Sequence, residues 1–305
     1  MKGIHVHYTI PGRKTLPEDW FILLSLVSAL YWKKYNGEIW LYTDPEYKKI
    51  LDRIGISKFW DKIEVIDPDE FRDIDLVNFW AAPKIYAMSK QEEPFVSIDT
   101  DLYILTNIPK DFYDSDYAYS HREVLNGFIY PPVNEMCFPI GYKINPNWGY
   151  SEPAANCSIL YFKNMEFLKK YTDASLSYMR GNLANPRLDH FRYCHMVFAE
   201  QRILNALAKF EKMKSKVLIK EHFDPGYPNK KPGEWIARKD SGIFNISQLD
   251  YTLFHLWGNK ASFEKDPVYK KELTSRLEVI FNGLSNLPFS YYRNKINSYL
   301  EVSHS

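Results

Sequence analysis

Two carboxylates one residue apart interrupt an apolar run in PFVSIDTDLYIL, residues 94–105. Phe95, Val96, Ser97 and Ile98 read as a buried strand, Asp99 and Asp101 follow it, and Tyr103, Ile104 and Leu105 resume the apolar character. Two acids at a strand end can turn onto one hard cation, since Mg²⁺ or Mn²⁺ accepts few protein carboxylates and keeps positions open for phosphate oxygens. The plainer reading is a strand cap, because Asp is a common turn residue. An isolated Asp-x-Asp does not choose between them.

HLWGNK, residues 255–260, adds chemistry that would choose. It follows the apolar Tyr251, Leu253 and Phe254. His255 can ligate a divalent ion through a ring nitrogen. Gly258 lets backbone approach a ligand closely, and Lys260 is a mobile cation suited to phosphate. Taken singly, a buried His is more often a hydrogen-bonded core residue. Joined to an upstream Asp-x-Asp, the set points to a metal and a diphosphate.

The elements that must position these groups alternate. GIHVHYT (3–9) reads as a strand, ended by Pro11-Gly12. A helix follows over about 18–35, stopped at Asn36-Gly37, then a strand over 38–44 and a helix from Pro45 to Ile54. A strand over 63–67 and a helix over 76–91 lead to the acid-bearing strand. Such alternation predicts an α/β fold with a mainly parallel sheet flanked by helices, whose ligands bind beyond the carboxyl ends of strands. After YAYSHRE (117–123) comes an irregular stretch, 124–155, with five prolines among Asn, Gly, Tyr and Trp. Its length suits a functional loop, and Tyr130, Phe138, Trp148 and Tyr150 could line an acceptor groove or pin the loop down. A strand over 157–162, a helix over about 190–210, a strand over 216–223 and an amphipathic helix over about 267–281 complete the pattern. Tyr269, Leu273, Leu277 and Phe281 share one face of that last helix.

Bulk properties exclude more than they assign. Thirty-nine Lys and Arg against 38 Asp and Glu leave a formal charge of +1, and no basic stripe argues for nucleic acid. Three cysteines without a C-x-x-C pair argue against a disulfide framework or a thiolate zinc site. WFILLSLVSALYW (20–32) is too short to span a bilayer and reads as a buried helix. MKGIHVHYTI lacks the apolar core of a secretory signal. The expectation is a cytoplasmic protein whose membrane association, if any, is peripheral.

Asp-x-Asp at the end of an early strand with a distal His-x-x-Gly-x-x-Lys resembles the GT-A glycosyltransferases, especially the glycogenin-like and bacterial galactosyltransferase-like retaining enzymes of family 8. Three stretches resemble family segments in order and spacing: AAPKIYAM (81–88) with Lys84, NCSILYF (156–162), and EQRILNAL (200–207), which resembles Asp-Gln-x-x-x-Asn. The resemblance covers roughly residues 1–260. It departs at Glu200, where Asp is usual, at Cys157-Ser158, where a small-Gly pair is usual, and after Lys260, where Pro-Trp is usual.

The resemblance implies a GT-A domain over 1–263 with a helical extension, 264–305, packed on it. It implies Mn²⁺ or Mg²⁺ held by Asp99, Asp101 and His255, and transfer of a hexose from a UDP-sugar to a saccharide or glycolipid acceptor with retention. Tyr8 and Thr9 would cradle the base. Lys260 would sit beside the diphosphate, and Thr100, Asn156, Ser158 and Gly258 would also belong to the nucleotide-sugar site. Lys84 would meet phosphate or orient an acid, and Gln201 and Glu200 would face the anomeric carbon. Two other readings compete: a nucleotide-sugar-binding protein without turnover, and a phosphatase of the haloacid-dehalogenase type. The second lacks a later acidic pair and has three strand–helix units ahead of its motif.

Overall fold

The computed structural model describes residues 1–12, 19–125, 127, 129–136, 138, 141–180, 193–220, 222–223, 253–255 and 266–303. In chain order its strands and helices are β1 (Lys2–His7), α1 (Asp19–Tyr35), β2 (Ile39–Thr43), α2 (Pro45–Ile54), β3 (Lys62–Val65), α3 (Ala82–Ser89), β4 (Phe95–Ile98), β5 (Leu102–Ile104), β6 (Tyr117–Tyr119), β7 (Arg122–Glu123), β8 (Ala154–Ala155), β9 (Ile159–Phe162), α4 (Met165–Arg180), α5 (Tyr193–Val197), α6 (Ile203–Phe210), β10 (Ser215–Val217), β11 (His222–Phe223), β12 (Leu253–His255), α7 (Pro267–Ser285) and α8 (Phe289–Ser303). The fold is α/β, with a mixed, mainly parallel sheet flanked by helices, as the alternation predicts. The chain divides into two compact units. The first comprises Met1–Val65, Asp99–Ile108 and Pro232–Ser305, and the second Ile66–Ile98 and Pro109–Lys231.

In the first unit β1, β2 and β3 run parallel, and β5 pairs antiparallel with β12. The greasy stretch at 20–32 is α1, buried on most sides, from Trp20 through Ala29 and Trp32. Its Trp32 lies where a Cβ on Gly3 would come within 2.5 Å of the indole, so β1 passes α1 at a distance only glycine permits. Asp44 caps α2 by accepting from Tyr47 N at 2.8 Å, Pro45 opens the helix, and Gly55 closes it at φ +83°. α7 packs against α1 and buries Leu273, Leu277 and Phe281, spaced four residues apart. Phe281 meets Phe59 edge-on at 5.2 Å and Tyr292 at 6.1 Å.

In the second unit β9 pairs antiparallel with both β4 and β6, and β6 pairs parallel with β10. FVSI, YAY and ILYF are buried on both faces, which explains why they show no apolar–polar alternation. The helix expected over 76–91 is shorter. Asp75 accepts from the backbone of Val77 and Asn78, closing a turn of its own, and Pro83 starts α3. The strand expected over 216–223 is two short pieces, β10 and β11. α4 and α8 are absent from the sequence reading. Among the described residues, no helix is long and apolar enough to cross a membrane.

Candidate active site

Asp99 to Leu102 form a tight turn between β4 and β5, closed by Leu102 N donating to Asp99 O at 3.0 Å. A strand cap made of solvated acids would leave both exposed. Asp101 is instead only 3% exposed and Thr100 is buried as well, while Asp99 is half-buried. The register of β5 with β12 sets His255 opposite Leu102, the residue after Asp101. Opposed residues of an antiparallel pair have Cα atoms about 5 Å apart, so the backbone of His255 lies alongside the acidic turn. The side chain of His255, and the whole of Gly258 and Lys260, lie outside the described residues. Among the described residues, no three His, Cys, Asp or Glu side chains are grouped as metal ligands.

A buried relay fixes the same turn from beneath. Trp60 Nε1 donates to His5 Nδ1 at 3.3 Å. An indole can only donate, so the proton of the neutral imidazole sits on Nε2, which contacts Ser28 Oγ at 3.2 Å. Ser28 then spends its own proton on Leu102 O at 2.5 Å. His5 is fully buried, and desolvation lowers its pKa to about 3 against an opposing pull from Asp101. It therefore stays neutral and gives Asp101 no counter-charge.

Tyr8 and Thr9 follow β1. Thr9 N donates to Asp44 Oδ2 at 2.8 Å, so one carboxylate ties the end of β1 to the start of α2. The Thr9 and Thr43 hydroxyls, just past β1 and at the end of β2, are buried and have no hydrogen-bond partner among the described residues. Strand carboxyl ends are where sheets of this class receive polar ligands.

The second unit gathers the remaining expected residues. Lys84 Nζ pairs with Glu200 Oε1 at 3.0 Å, both side chains 11% exposed, and donates to Cys157 O at 2.5 Å. Gln201 Oε1 accepts from Tyr130 Oη at 2.5 Å. Asn156 Nδ2 donates to Glu123 Oε1 at 2.8 Å, and Asn156 Oδ1 accepts from Ser158 N at 3.1 Å, so this amide is spent inside the protein. Ser158 Oγ is buried and has no hydrogen-bond partner among the described residues.

Glu200 and Gln201 stand in a π-helical turn, Phe198–Arg202, between α5 and α6. The wider i→i+5 spacing leaves carbonyls for other donors. Tyr171 Oη donates to Glu200 O at 2.6 Å and Ser175 Oγ to Ala199 O at 2.8 Å, both from α4. Sequence reasoning missed α4 and therefore this clamp. It also missed His121 and Glu123, buried together with His121 Nε2 3.1 Å from Glu123 Oε1, and the buried Arg202. The available signal was a Glu closing an apolar strand in YAYSHRE and an Arg inside an otherwise apolar helix.

Residues 16–281 match the model of a family described as "Family of unknown function (DUF6734)". The chain belongs to this family. No curated protein matches it. Among solved structures, this DUF6734 member is similar to the glycosyltransferase GlyE of Streptococcus pneumoniae TIGR4, with 11% identity and a TM-score of 0.45. The match covers 93% of this chain and 63% of that one, so the DUF6734 chain spans less than two thirds of that enzyme's length.

Proposed function

We propose that the chain is a glycosyltransferase that moves a hexose from a UDP-sugar to a glycan or glycolipid acceptor, with retention, using Mn²⁺ or Mg²⁺. The observation that carries the reading is the β5–β12 register, which brings the backbone of His255 beside a turn bearing two acids, one of them buried. The donor set suits the ion: two carboxylates and an imidazole are ligands that Mn²⁺ and Mg²⁺ accept while retaining open positions. Asp99, Asp101 and His255 would hold the cation, which when bound would neutralise charge growing on the departing diphosphate.

The chain's own residues do the rest in this reading. Tyr8 and Thr9 receive the base at the end of β1, and Thr100 and Lys260 follow the diphosphate. Glu200 is oriented by Lys84, and Gln201 is aimed by Tyr130. The test is a panel of nucleotide sugars, read by thermal unfolding and by release of nucleoside diphosphate. UDP-hexoses are expected to raise Tm only with Mn²⁺ or Mg²⁺, and to release UDP when a saccharide acceptor is added. Stabilisation insensitive to chelator, or none with any donor, would sink the proposal. Metal-dependent binding without release under any acceptor would support a binding protein instead.

A further inference from the structure

Arg202 is a buried charge with no carboxylate partner among the described residues. Its side chain is 4% exposed. Nη1 donates to Pro131 O at 2.6 Å and makes a longer contact with Met136 Sδ at 3.8 Å, and Nη2 donates to Tyr150 O at 3.0 Å. Nε is buried and has no hydrogen-bond partner among the described residues. No carboxylate pairs with this guanidinium among the described residues. Burial pulls its pKa down, yet a guanidinium starts so far above neutrality that it stays charged. Its electrostatic neighbours are Tyr130, Tyr150 and Cys194. Burial pushes all three pKa values up, the thiol to about 11, so none carries negative charge near neutral pH.

Two carbonyls explain how Arg202 ties down the 124–155 excursion, but they do not discharge it, and a buried ion without a counter-ion is costly. The same residue lines a cavity of about 400 Å³ in the second unit. That volume lies in the range of small-molecule sites. Its walls include Tyr130, Pro132, Val133 and Tyr150, the flat apolar surfaces against which a ring packs. We propose that this cavity binds a small ring bearing an oxyanion, carboxylate or phosphate, with Arg202 as counter-charge. The inference concerns binding and stands apart from whether the chain transfers sugar.

Calorimetric titration of the full-length protein tests it, with glucuronate, glucose 6-phosphate, glucose and inorganic phosphate at fixed ionic strength. At least one of the two acids is expected to bind tenfold or more tighter than glucose, and which one identifies the oxyanion. Arg202→Met should abolish that binding. Val133→Asp puts a carboxylate on the cavity wall and should weaken it tenfold or more while leaving any glucose binding unchanged. If Arg202→Met fails to fold, the Val133→Asp titration decides alone. Equal binding of acids and glucose, or no binding of either acid, overturns the proposal. So does wild-type affinity in Val133→Asp, or inorganic phosphate matching glucose 6-phosphate, since no ring would then be recognised.

Discussion

The acidic turn of the first unit and the polar wall of the second place their chemistry by different means. The turn is set by backbone: a 3.0 Å closing bond, an antiparallel partner strand, and a relay that ends on a carbonyl. The wall is set by side chains that answer one another, Lys84 with Glu200, His121 with Glu123, Tyr130 with Gln201. The Lys84–Glu200 ion pair mainly holds structure together. Supports that end on backbone instead shape the turn that carries Asp99 and Asp101. Under the proposed reading the turn holds the cation, and the Lys84–Glu200 pair contributes stability as well as orientation.

Two substitutions can break that contrast. Asp101→Asn keeps shape and burial but removes a charge, and under the proposed reading it should lower UDP release by about 10³-fold, the scale of losing one group that stabilises developing charge. The unfolding midpoint without metal should move little. Lys84→Met should do the opposite, leaving Glu200 buried without its cation at a cost of about 3 kcal/mol in urea unfolding. Pairing it with Glu200→Leu should recover most of that loss, because an apolar pair replaces the ionic one. Should Asp101→Asn destabilise as much as Lys84→Met while release persists, the assignment of roles is reversed.

The two regions were also unequally legible in the sequence. Asp99 and Asp101 are one residue apart in the chain, so their spacing is visible in twelve residues, and the strand before them has an unmistakable apolar run. His255 could be linked to them only by residue chemistry and resemblance, since a partner some 150 residues away leaves no local trace of its register. The wall was legible only in fragments. Lys84, Glu200 and Gln201 emerged as members of short stretches, whereas their partners Cys157, Tyr171 and Tyr130 come from three other elements and obey no periodicity. α4 went unread because its surroundings mix Tyr, Thr and Ser with charges, and its buried face, Phe167, Leu168, Tyr171, Ser175, Tyr178 and Met179, is partly polar. Those polar members are the ones that clamp the π-helical turn.

His5 sharpens the comparison through pH. In the folded chain burial lowers its pKa to about 3, whereas in the unfolded chain it takes up a proton near 6.5. Below 6.5 the unfolded state thus binds a proton that the native state refuses until about 3, and stability falls as pH falls through that window. The limiting slope for one group is about 1.4 kcal/mol per pH unit. His5→Gln can still accept from Trp60 and donate to Ser28 but does not titrate, so the difference in pH slope between wild type and variant isolates the imidazole. Parallel stability curves for the two between pH 6.5 and 4 would mean that the imidazole is not held neutral, and the relay assignment fails with it.

The smallest effect is expected at the clamp. Tyr171→Phe removes the hydroxyl that donates to Glu200 O and leaves ring, volume and the stacked contact with Phe162 at 5.8 Å in place. Cys157 Sγ contacts the same carbonyl at 3.6 Å, a weak donor that offsets part of the loss. Stability should therefore drop by about 1 kcal/mol, toward the low end for an unsatisfied buried carbonyl. The sharper readout is local: amide exchange over 198–206 should quicken relative to α4 itself, because a freed Glu200 carbonyl lets the wide turn reclose toward ordinary helical spacing. If exchange there is unchanged while global stability falls, Tyr171 acts as core packing. The π-helical turn would then be held by the Lys84–Glu200 pair rather than by α4.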